Sequence, residues 1–285
     1  MATAFNEVVQ GQRLWQPCPE HIQHTRLTHY LDWLKRERGL SFVDYHGLWQ
    51  WSVDDLDAFW QSIWDHFQVQ ASSPYHAVLG DRTMPGAEWF PGAHLNFAEH
   101  ILRNERQGDA LRYRSESHAL QCLPWAEFAD QVRTLAGYLR ELGVVPGDRV
   151  VAYLPNIPEA MIALCACAAI GAIWASCSPD FGSEGVLDRV RQLAPKVLLA
   201  VDGYRYGGKA FDRREHVRQI VGELGSIQQV IVLPMLFPDE PLTLANAIDW
   251  HSLRLRPSVP AADFQCEQVP FDHPLWVLFS SGTTG

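Results

Sequence analysis

Lysine is scarce in this sequence. The 285 residues contain only three, Lys35, Lys196 and Lys209, so a catalytic or phosphate-binding lysine has three candidates. Lysine and arginine together number 23 against 33 aspartates and glutamates, which gives a formal net charge of −10. An acidic chain is disfavoured as a nonspecific binder of nucleic acid or of anionic membranes. Any anionic ligand therefore needs a local basic patch.

Disulfide and secretory signals are also missing. The six cysteines are scattered, whereas a disulfide scaffold is small and dense in cysteine. Cys165 and Cys167 lie in an apolar run without a second nearby cysteine or histidine pair, so we interpret them as packing residues and expect no metal site. The first 15 residues lack a basic segment and an apolar segment, which argues against secretion. These features predict a cytoplasmic protein.

One uncharged run, residues 160–177, approaches the length of a membrane span, which needs roughly 20 residues. Asn156 and Glu159 have capping-box spacing in front of the run, and Gly171 suits the end of a helix. The run therefore predicts a buried helix followed by a short strand at residues 172–176, and no membrane span.

Aromatic residues concentrate in the first hundred positions. Seven of the 11 tryptophans lie there: Trp15, Trp33, Trp49, Trp51, Trp60, Trp64 and Trp89. Apolar residues at helical spacing predict a helix that Gly39 ends, and the capping-box spacing of Ser52 and Asp55 predicts a second one. A ligand cage is the alternative interpretation of the aromatics, but their helical spacing favours packing. We expect a helical, aromatic-rich region over residues 1–100.

The rest of the chain, residues 101–285, alternates short apolar strands with helices. After a hairpin over residues 110–123, strands are predicted at residues 149–154, 172–176, 196–201, 230–233 and 275–279. Apolar strands joined by helices require a parallel sheet that is covered on both faces. We therefore predict the α/β class, with a parallel sheet flanked by helices.

Two details complete this pattern. Asp212 and Glu215 have capping-box spacing, which predicts a helix from residue 212. Residues 234–274 are rich in proline and are expected to be irregular, apart from a short helix around residues 244–250.

The last predicted strand leads into a loop of small polar residues: Ser280, Ser281, Gly282, Thr283, Thr284 and Gly285. Glycines let successive N–H groups converge and the hydroxyls add donors, which is a physical means of holding phosphate. A solvated linker is an equal alternative on composition alone. No Gly-Lys-Ser/Thr follows, so the loop is not a Walker loop, and no G-x-G-x-x-G follows a strand, which disfavours a dinucleotide-dependent oxidoreductase.

Four segments resemble the adenylate-forming enzymes, the superfamily of acyl-CoA synthetases, luciferases and peptide-synthetase adenylation domains. LWVLFSSGTTG at residues 275–285 resembles the start of their phosphate-binding signature, and residues 147–171 resemble their core. WFPGAHLNFAEHIL at residues 89–102 is similar to the acetyl-CoA synthetase branch. Within that branch, WASCSPDFG at residues 174–182 is most similar to acetoacetyl-CoA synthetases. The resemblance covers essentially the whole chain but about the first half of the family's usual length.

The resemblance implies an ATP-dependent, AMP-forming ligation of acetoacetate to coenzyme A (CoA). In this reaction a carboxylate attacks the α-phosphate of Mg-ATP, pyrophosphate leaves, and the CoA thiol then displaces AMP from the acyl-adenylate. Ser280, Ser281, Gly282, Thr283, Thr284 and Gly285 would hold the ATP phosphates. ATP, Mg²⁺ and CoA are thus the implied cofactors and co-substrates.

Residues 204–209, YRYGGK, match by position the arginine-containing loop with which acetyl-CoA synthetases contact CoA phosphates. The match implies that Arg205, Gly207, Gly208 and Lys209 bind CoA, although this sequence has a lysine and an extra glycine in place of a second arginine. With Arg213 and Arg214 close behind, the loop is the best basic cluster of the chain. A solvated charged loop is the alternative.

The family's adenine, ribose and acyl sites, its Mg²⁺-binding glutamate and its catalytic lysine lie in later parts of the family's sequence. None of the three lysines here corresponds to that lysine, so we expect no catalytic residue among these 285 residues and no ligation by them alone. The alternatives are part of an acetyl- or other short-chain acyl-CoA synthetase, and a noncatalytic chain that retains phosphate or CoA binding.

Overall fold

A computed structural model of the chain describes residues 9–103, 107–240 and 242–279. These residues form two compact units, one up to Val69 and one from Gln70 onward. The division into domains 1–100 and 101–285 stays a prediction.

The first unit is helical. Its helices are α1 (Pro19–Gln23), α2 (Arg26–Arg38), α3 (Tyr45–Asp54) and α4 (Leu56–His66). The predicted helix that ends at Gly39 is confirmed as α2, because Gly39 adopts a φ of +68°, which glycine tolerates and other residues rarely adopt. Leu34 is fully buried, and the rings of Trp51 and Phe59 meet edge to face at 5.6 Å. Part of the aromatic content therefore builds the core of this unit.

The predicted capping box at Ser52 is wrong. Ser52 lies within α3, a helix that the spacing did not reveal, and α4 begins after Asp55. The Asp55 carboxylate accepts a hydrogen bond from the Ala58 backbone N–H at 3.0 Å. Asp44 caps α3 in the same way, accepting from the Gly47 N–H at 2.8 Å. Aspartate caps the first turn of a helix as well as serine does, so the spacing of the two residues does not show which of them is the cap.

The second unit contains the sheet. Its helices are α5 (Phe97–Leu102), α6 (Trp125–Glu141), α7 (Pro158–Ala169), α8 (Ser183–Val190), α9 (Arg214–Glu223) and α10 (Trp250–Arg254). Its strands are β1 (His94–Leu95), β2 (Asp109–Tyr113), β3 (Gln121–Pro124), β4 (Arg149–Tyr153), β5 (Ile173–Cys177), β6 (Val197–Val201), β7 (Gly203–Tyr206), β8 (Lys209–Asp212), β9 (Gln229–Leu233), β10 (Ala247–Asp249), β11 (Val269–Pro270) and β12 (Trp276–Val277). The predicted first hairpin is confirmed, since β2 and β3 pair antiparallel.

Six strands form one parallel sheet in the order β10, β9, β6, β4, β5, β12, which confirms the predicted α/β class. Alternate residues of each strand enter opposite cores. Val150 and Leu199 pack in the core that α6, α7 and α10 cover, whereas Val151 and Leu198 pack in the core that α8 and α9 cover. Burial of each such side chain stabilises the fold by about 1.5–3 kcal/mol.

The uncharged run at residues 160–177 divides as predicted. α7 ends, Gly171 turns the chain with a φ of +72°, and β5 follows. Asn156 does not cap α7, which has no side-chain cap. Burial raises the pKa of the Cys165 thiol to about 12, in keeping with a packing role. Within the described ranges, no helix is long and apolar enough to cross a membrane.

Three expectations about the later elements are wrong. Residues 234–274 contain a strand, β10, which extends the sheet beside β9. The nearby helix, α10, starts later than predicted because the Asp249 carboxylate caps it by accepting the Ser252 N–H at 2.9 Å. Asp212 is not a helix cap either, since it ends β8 and α9 begins after Arg213. β10 has only three residues, too few to show a strand pattern.

Candidate functional site

The loops that carry the predicted site leave the carboxyl edge of the sheet. The six strands are parallel, so the loops after β4, β5, β6 and β12 emerge at one edge, and ligands of open α/β sheets bind at that edge. β12 pairs with β5, Trp276 opposite Trp174. The predicted phosphate loop, residues 280–285, follows β12 and lies outside the described residues.

The predicted CoA loop is a β-hairpin. β7 pairs antiparallel with β8, and Gly207 and Gly208 form a two-residue turn with φ values of +59° and +73°. A tight hairpin turn needs positive φ at both positions, and glycine supplies it without steric cost. The hairpin differs from the loop that the sequence predicts at these residues. The Gly-Gly pair between YRY and KAF is the signal that could have identified the hairpin.

The turn of this hairpin holds a carboxylate. The Gly207 N–H donates to Oε1 of Glu116 at 2.7 Å, and the Gly208 N–H donates to Oε2 at 2.9 Å. The hydrogen bonds from Gly208 and Gly207 lower the pKa of Glu116 below its usual value. Two adjacent backbone N–H groups therefore form an anion-binding turn. Glu116 was not identified from the sequence because it lies 91 residues before the turn, between β2 and β3.

The two predicted cations of the hairpin are exposed to solvent. Within the described part of the chain, neither Arg205 nor Lys209 has a hydrogen-bond or ion-pair partner for its side chain. Arg205 pairs across the hairpin with Ala210, and Lys209 pairs with Tyr206. Because paired residues share a face and successive residues alternate, Arg205 and Lys209 project from opposite faces.

The two further arginines of the predicted cluster are engaged in the fold. Arg213 Nε donates to the Pro179 carbonyl at 2.6 Å, and its guanidinium carbon lies 5.3 Å from the centroid of the Tyr204 ring. Such a position favours a cation–π interaction. Arg214 forms an ion pair with Asp212 at 2.8 Å. The predicted basic cluster is thus reduced to the two cations of the hairpin itself.

The loop after β5, residues 178–182, is tied to the hairpin and to the sheet by two tyrosines. The Tyr204 hydroxyl donates to Oδ1 of Asp180 at 2.5 Å, and the Tyr153 hydroxyl donates to the Phe181 carbonyl at 2.5 Å. Burial raises the pKa of Tyr153 to about 12, so this donor keeps its proton. Neither role is visible in the sequence, because Tyr153 lies in an apolar strand, Tyr204 lies in a hairpin strand, and their partners are at least 24 residues away along the chain.

Asp202 fixes the base of the hairpin. It is fully buried, and its carboxylate accepts the backbone N–H groups of residues 235–237 at 2.8, 3.0 and 2.8 Å. A Cβ on Gly203 would lie 2.6 Å from the Phe211 carbonyl oxygen, so the chain requires glycine there. The Asp202 carboxylate thus joins the start of the hairpin to the segment after β9.

Lys196 is placed away from this edge. It precedes β6 at the amino edge of the sheet, where its Nζ lies 3.0 Å from Asp148 Oδ2 and 2.6 Å from the Gly143 carbonyl oxygen. In the described ranges, no group of three histidine, cysteine, aspartate or glutamate side chains is arranged to hold a metal ion.

Comparison with known proteins assigns the chain to a family. The AMP-binding enzyme family matches residues 102–285, and the acetyl-coenzyme A synthetase N-terminus matches residues 45–101. The chain belongs to the AMP-binding enzymes.

The chain is similar to acetoacetyl-CoA synthetases. The one from Rhizobium meliloti is 39% identical over 97% of this chain and 42% of that protein, and the one from Xenopus tropicalis is 34% identical over 99% and 43%. The solved structure of acetoacetyl-CoA synthetase from Streptomyces lividans is 50% identical, with a TM-score of 0.89, over 96% of this chain and 42% of that one. The chain spans about two fifths of the length of these relatives.

These similarities confirm the resemblance to adenylate-forming enzymes and, among them, to the acetoacetyl-CoA synthetases. Two assignments stay predictions: that CoA is contacted by Arg205, Gly207, Gly208 and Lys209, and that ATP is contacted by residues 280–285.

Proposed function

We propose that the protein to which these residues belong ligates acetoacetate to CoA. The observation that carries the proposal is the 50% identity to a solved acetoacetyl-CoA synthetase over 96% of this chain. In the first step a carboxylate oxygen of acetoacetate attacks the α-phosphorus of ATP, and pyrophosphate leaves. In the second step the thiol of CoA loses its proton and attacks the acyl carbonyl carbon, and AMP leaves. Positioning and charge stabilisation account for most of such catalysis.

We assign the CoA phosphates to the β7–β8 hairpin. Its turn binds a carboxylate through the N–H groups of Gly207 and Gly208, and a phosphate oxygen makes the same hydrogen bonds. Arg205 and Lys209 are exposed beside the turn without a side-chain partner among the described residues. Each charge-assisted hydrogen bond to a phosphate contributes about 1.5–3 kcal/mol.

We assign the ATP phosphates to residues 280–285 on sequence resemblance and because they follow β12 in the sequence. Mg²⁺ is bound largely through phosphate oxygens and water, so it would arrive with ATP. A cytoplasmic setting fits the cysteines, all six of which are free thiols.

The experiment uses the full reading frame that contains these residues. ATP–pyrophosphate exchange is measured with acetoacetate, with acetate and without a carboxylate, followed by assay of the CoA thioester. We expect exchange with acetoacetate and about tenfold or more less with acetate, since small changes in an acyl group alter selectivity by that order.

The other outcomes separate the alternatives. A preference for acetate would identify a short-chain acyl-CoA synthetase instead. Exchange with neither carboxylate, together with CoA binding, would support a noncatalytic binder. The 285 residues alone are expected to show no exchange, and exchange by them would contradict our assignment of the catalytic groups to later parts of the family's sequence.

A further inference from the structure

Glu116 reaches the hairpin turn from a distant part of the chain. It lies in the connection between β2 and β3, and both of its carboxylate oxygens are used, one for each glycine N–H of the turn. A carboxylate held by two N–H groups imitates two oxygens of a phosphate. The anion-binding turn therefore already contains an anion that the protein supplies.

The hydrogen bonds of Glu116 engage the backbone and leave the hairpin cations free. Glu116 forms no ion pair with Arg205 or Lys209, which have no side-chain partner among the described residues. Glu116, Gly207 and Gly208 are all exposed to solvent. A ligand can thus approach the turn from solvent and exchange with the carboxylate without disturbing the core.

A phosphate and the Glu116 carboxylate cannot occupy the turn together. They would need the same two N–H hydrogens, and two negative groups at this distance repel each other. The phosphate has the advantage of a larger charge and of Arg205 and Lys209 nearby, whereas the carboxylate has the advantage of being tethered to the protein.

We propose that Glu116 is an internal competitor that closes the hairpin turn and that a CoA phosphate must displace. The proposal rests on the assignment of CoA to this hairpin. When CoA binds, its phosphate oxygens take the hydrogen bonds of Gly207 and Gly208, and the Glu116 side chain moves into solvent. The apparent Kd for CoA then equals the intrinsic Kd divided by the fraction of molecules in which the turn is open.

The test compares CoA binding to the 285-residue chain with its Glu116→Ala and Glu116→Gln variants by isothermal titration calorimetry. We expect Glu116→Ala to bind CoA about three- to tenfold more tightly, which corresponds to a turn closed in about 70–90% of molecules. Glu116→Gln, which keeps the shape but loses the charge, should lie between the two. The matched control is Ser117→Ala, the exposed neighbour in the same connection, which should leave the Kd unchanged.

Two further titrations show which part of CoA the turn binds. Pantetheine, which carries the thiol but no phosphate, should bind all variants equally. Inorganic phosphate, titrated while the amide resonances of Gly207 and Gly208 are followed by NMR, should shift these resonances at lower concentration in Glu116→Ala than in the wild-type chain.

The outcomes separate this proposal from the assignment of CoA to the hairpin. If Arg205→Ala weakens CoA binding but the Glu116 variants bind CoA and phosphate no more tightly than wild type, Glu116 is only a brace between the two hairpins and the competition is refuted. If Arg205→Ala has no effect on CoA binding, the assignment itself fails. The phosphate titration still decides in that case whether Glu116 competes for the turn, since equal phosphate binding in wild type and Glu116→Ala would overturn the proposal.

Discussion

Arg205 and Lys209 project from opposite faces of one short hairpin, because Arg205 pairs with Ala210 and Lys209 pairs with Tyr206. The sequence places these two cations four residues apart and suggests a single cluster. The register shows instead that they can contact two different parts of a ligand. A molecule such as CoA, which carries phosphates at more than one position, suits this arrangement.

The first prediction is that these two cations act independently. Arg205→Ala and Lys209→Ala should each weaken CoA binding, and the two effects should add within about 0.5 kcal/mol in the double variant, as for side chains without a shared partner. The coupling energy between the two side chains follows from the calorimetric Kd values of the wild type, the two single variants and the double variant. A coupling of about 1 kcal/mol or more would show that both side chains hold the same phosphate.

The second prediction concerns two glycines, one with no room for a Cβ and one with open space around it. A Cβ on Gly203 would meet the Phe211 carbonyl oxygen at 2.6 Å, so Gly203→Ala should destabilise the fold by about 1–3 kcal/mol. Gly222 lies in α9 with no atom within 4 Å of its would-be Cβ, so Gly222→Ala should stabilise the fold by about 0.5–1 kcal/mol. Urea unfolding measures both, and a Gly203→Ala variant at least as stable as the wild type would contradict the description of the hairpin base.

The third prediction concerns the arginine that ties the hairpin to the loop after β5. Arg213→Lys keeps the charge but loses the planar group that donates to Pro179 and lies over Tyr204, so it should lower the free energy of unfolding by about 1–2 kcal/mol. Arg218→Ala removes only an exposed pair with Glu215 and should cost less than about 0.5 kcal/mol. Equal effects of the two changes on the urea midpoint would show that the contacts of Arg213 with Pro179 and Tyr204 do not stabilise the fold.

The fourth prediction is a loss of stability at alkaline pH. Burial raises the pKa of Tyr153 from 10.0 to about 12 in the folded state. The contribution of protonated Tyr153 to the free energy of unfolding is therefore complete below pH 10. It is lost as the pH rises towards about 12, at up to about 1.4 kcal/mol per pH unit. Unfolding by urea at several alkaline pH values should show a shallower decline for Tyr153→Phe than for wild type. Identical slopes would mean that Tyr153 ionises equally in both states.

The parallel sheet could be predicted from the sequence because its central strands are short, apolar runs. β4, β5, β6 and β9 lie within about one residue of their predicted bounds, since burial on both faces leaves an unambiguous apolar pattern. β10 was missed because three half-buried residues carry no such pattern, and its place in the sheet is decided by pairing with β9. The starts of α4, α9 and α10 differ from the predicted ones because several polar residues near each start can serve as the cap.

The candidate site was accessible from the sequence only in part. The hairpin cations were identified by resemblance, but Glu116, Tyr153 and Asp202 were not. Each of these acts through a backbone group that is distant along the chain, as when Glu116 binds a turn 91 residues away. Such partners depend on how the loops are brought together at the sheet edge, and local patterns contain no information about that.

The central claim, that the β7–β8 hairpin binds the phosphates of CoA, is tested most directly by calorimetry on a matched pair of arginine variants. Arg205 lies on the hairpin, whereas Arg191 lies at the amino edge of the sheet in ion pairs with Glu223 and Asp188. We predict that Arg205→Ala raises the Kd for CoA about tenfold or more, as expected for the loss of one charge-assisted hydrogen bond, and that Arg191→Ala leaves it unchanged. A Kd for Arg205→Ala equal to that of wild type would contradict the claim.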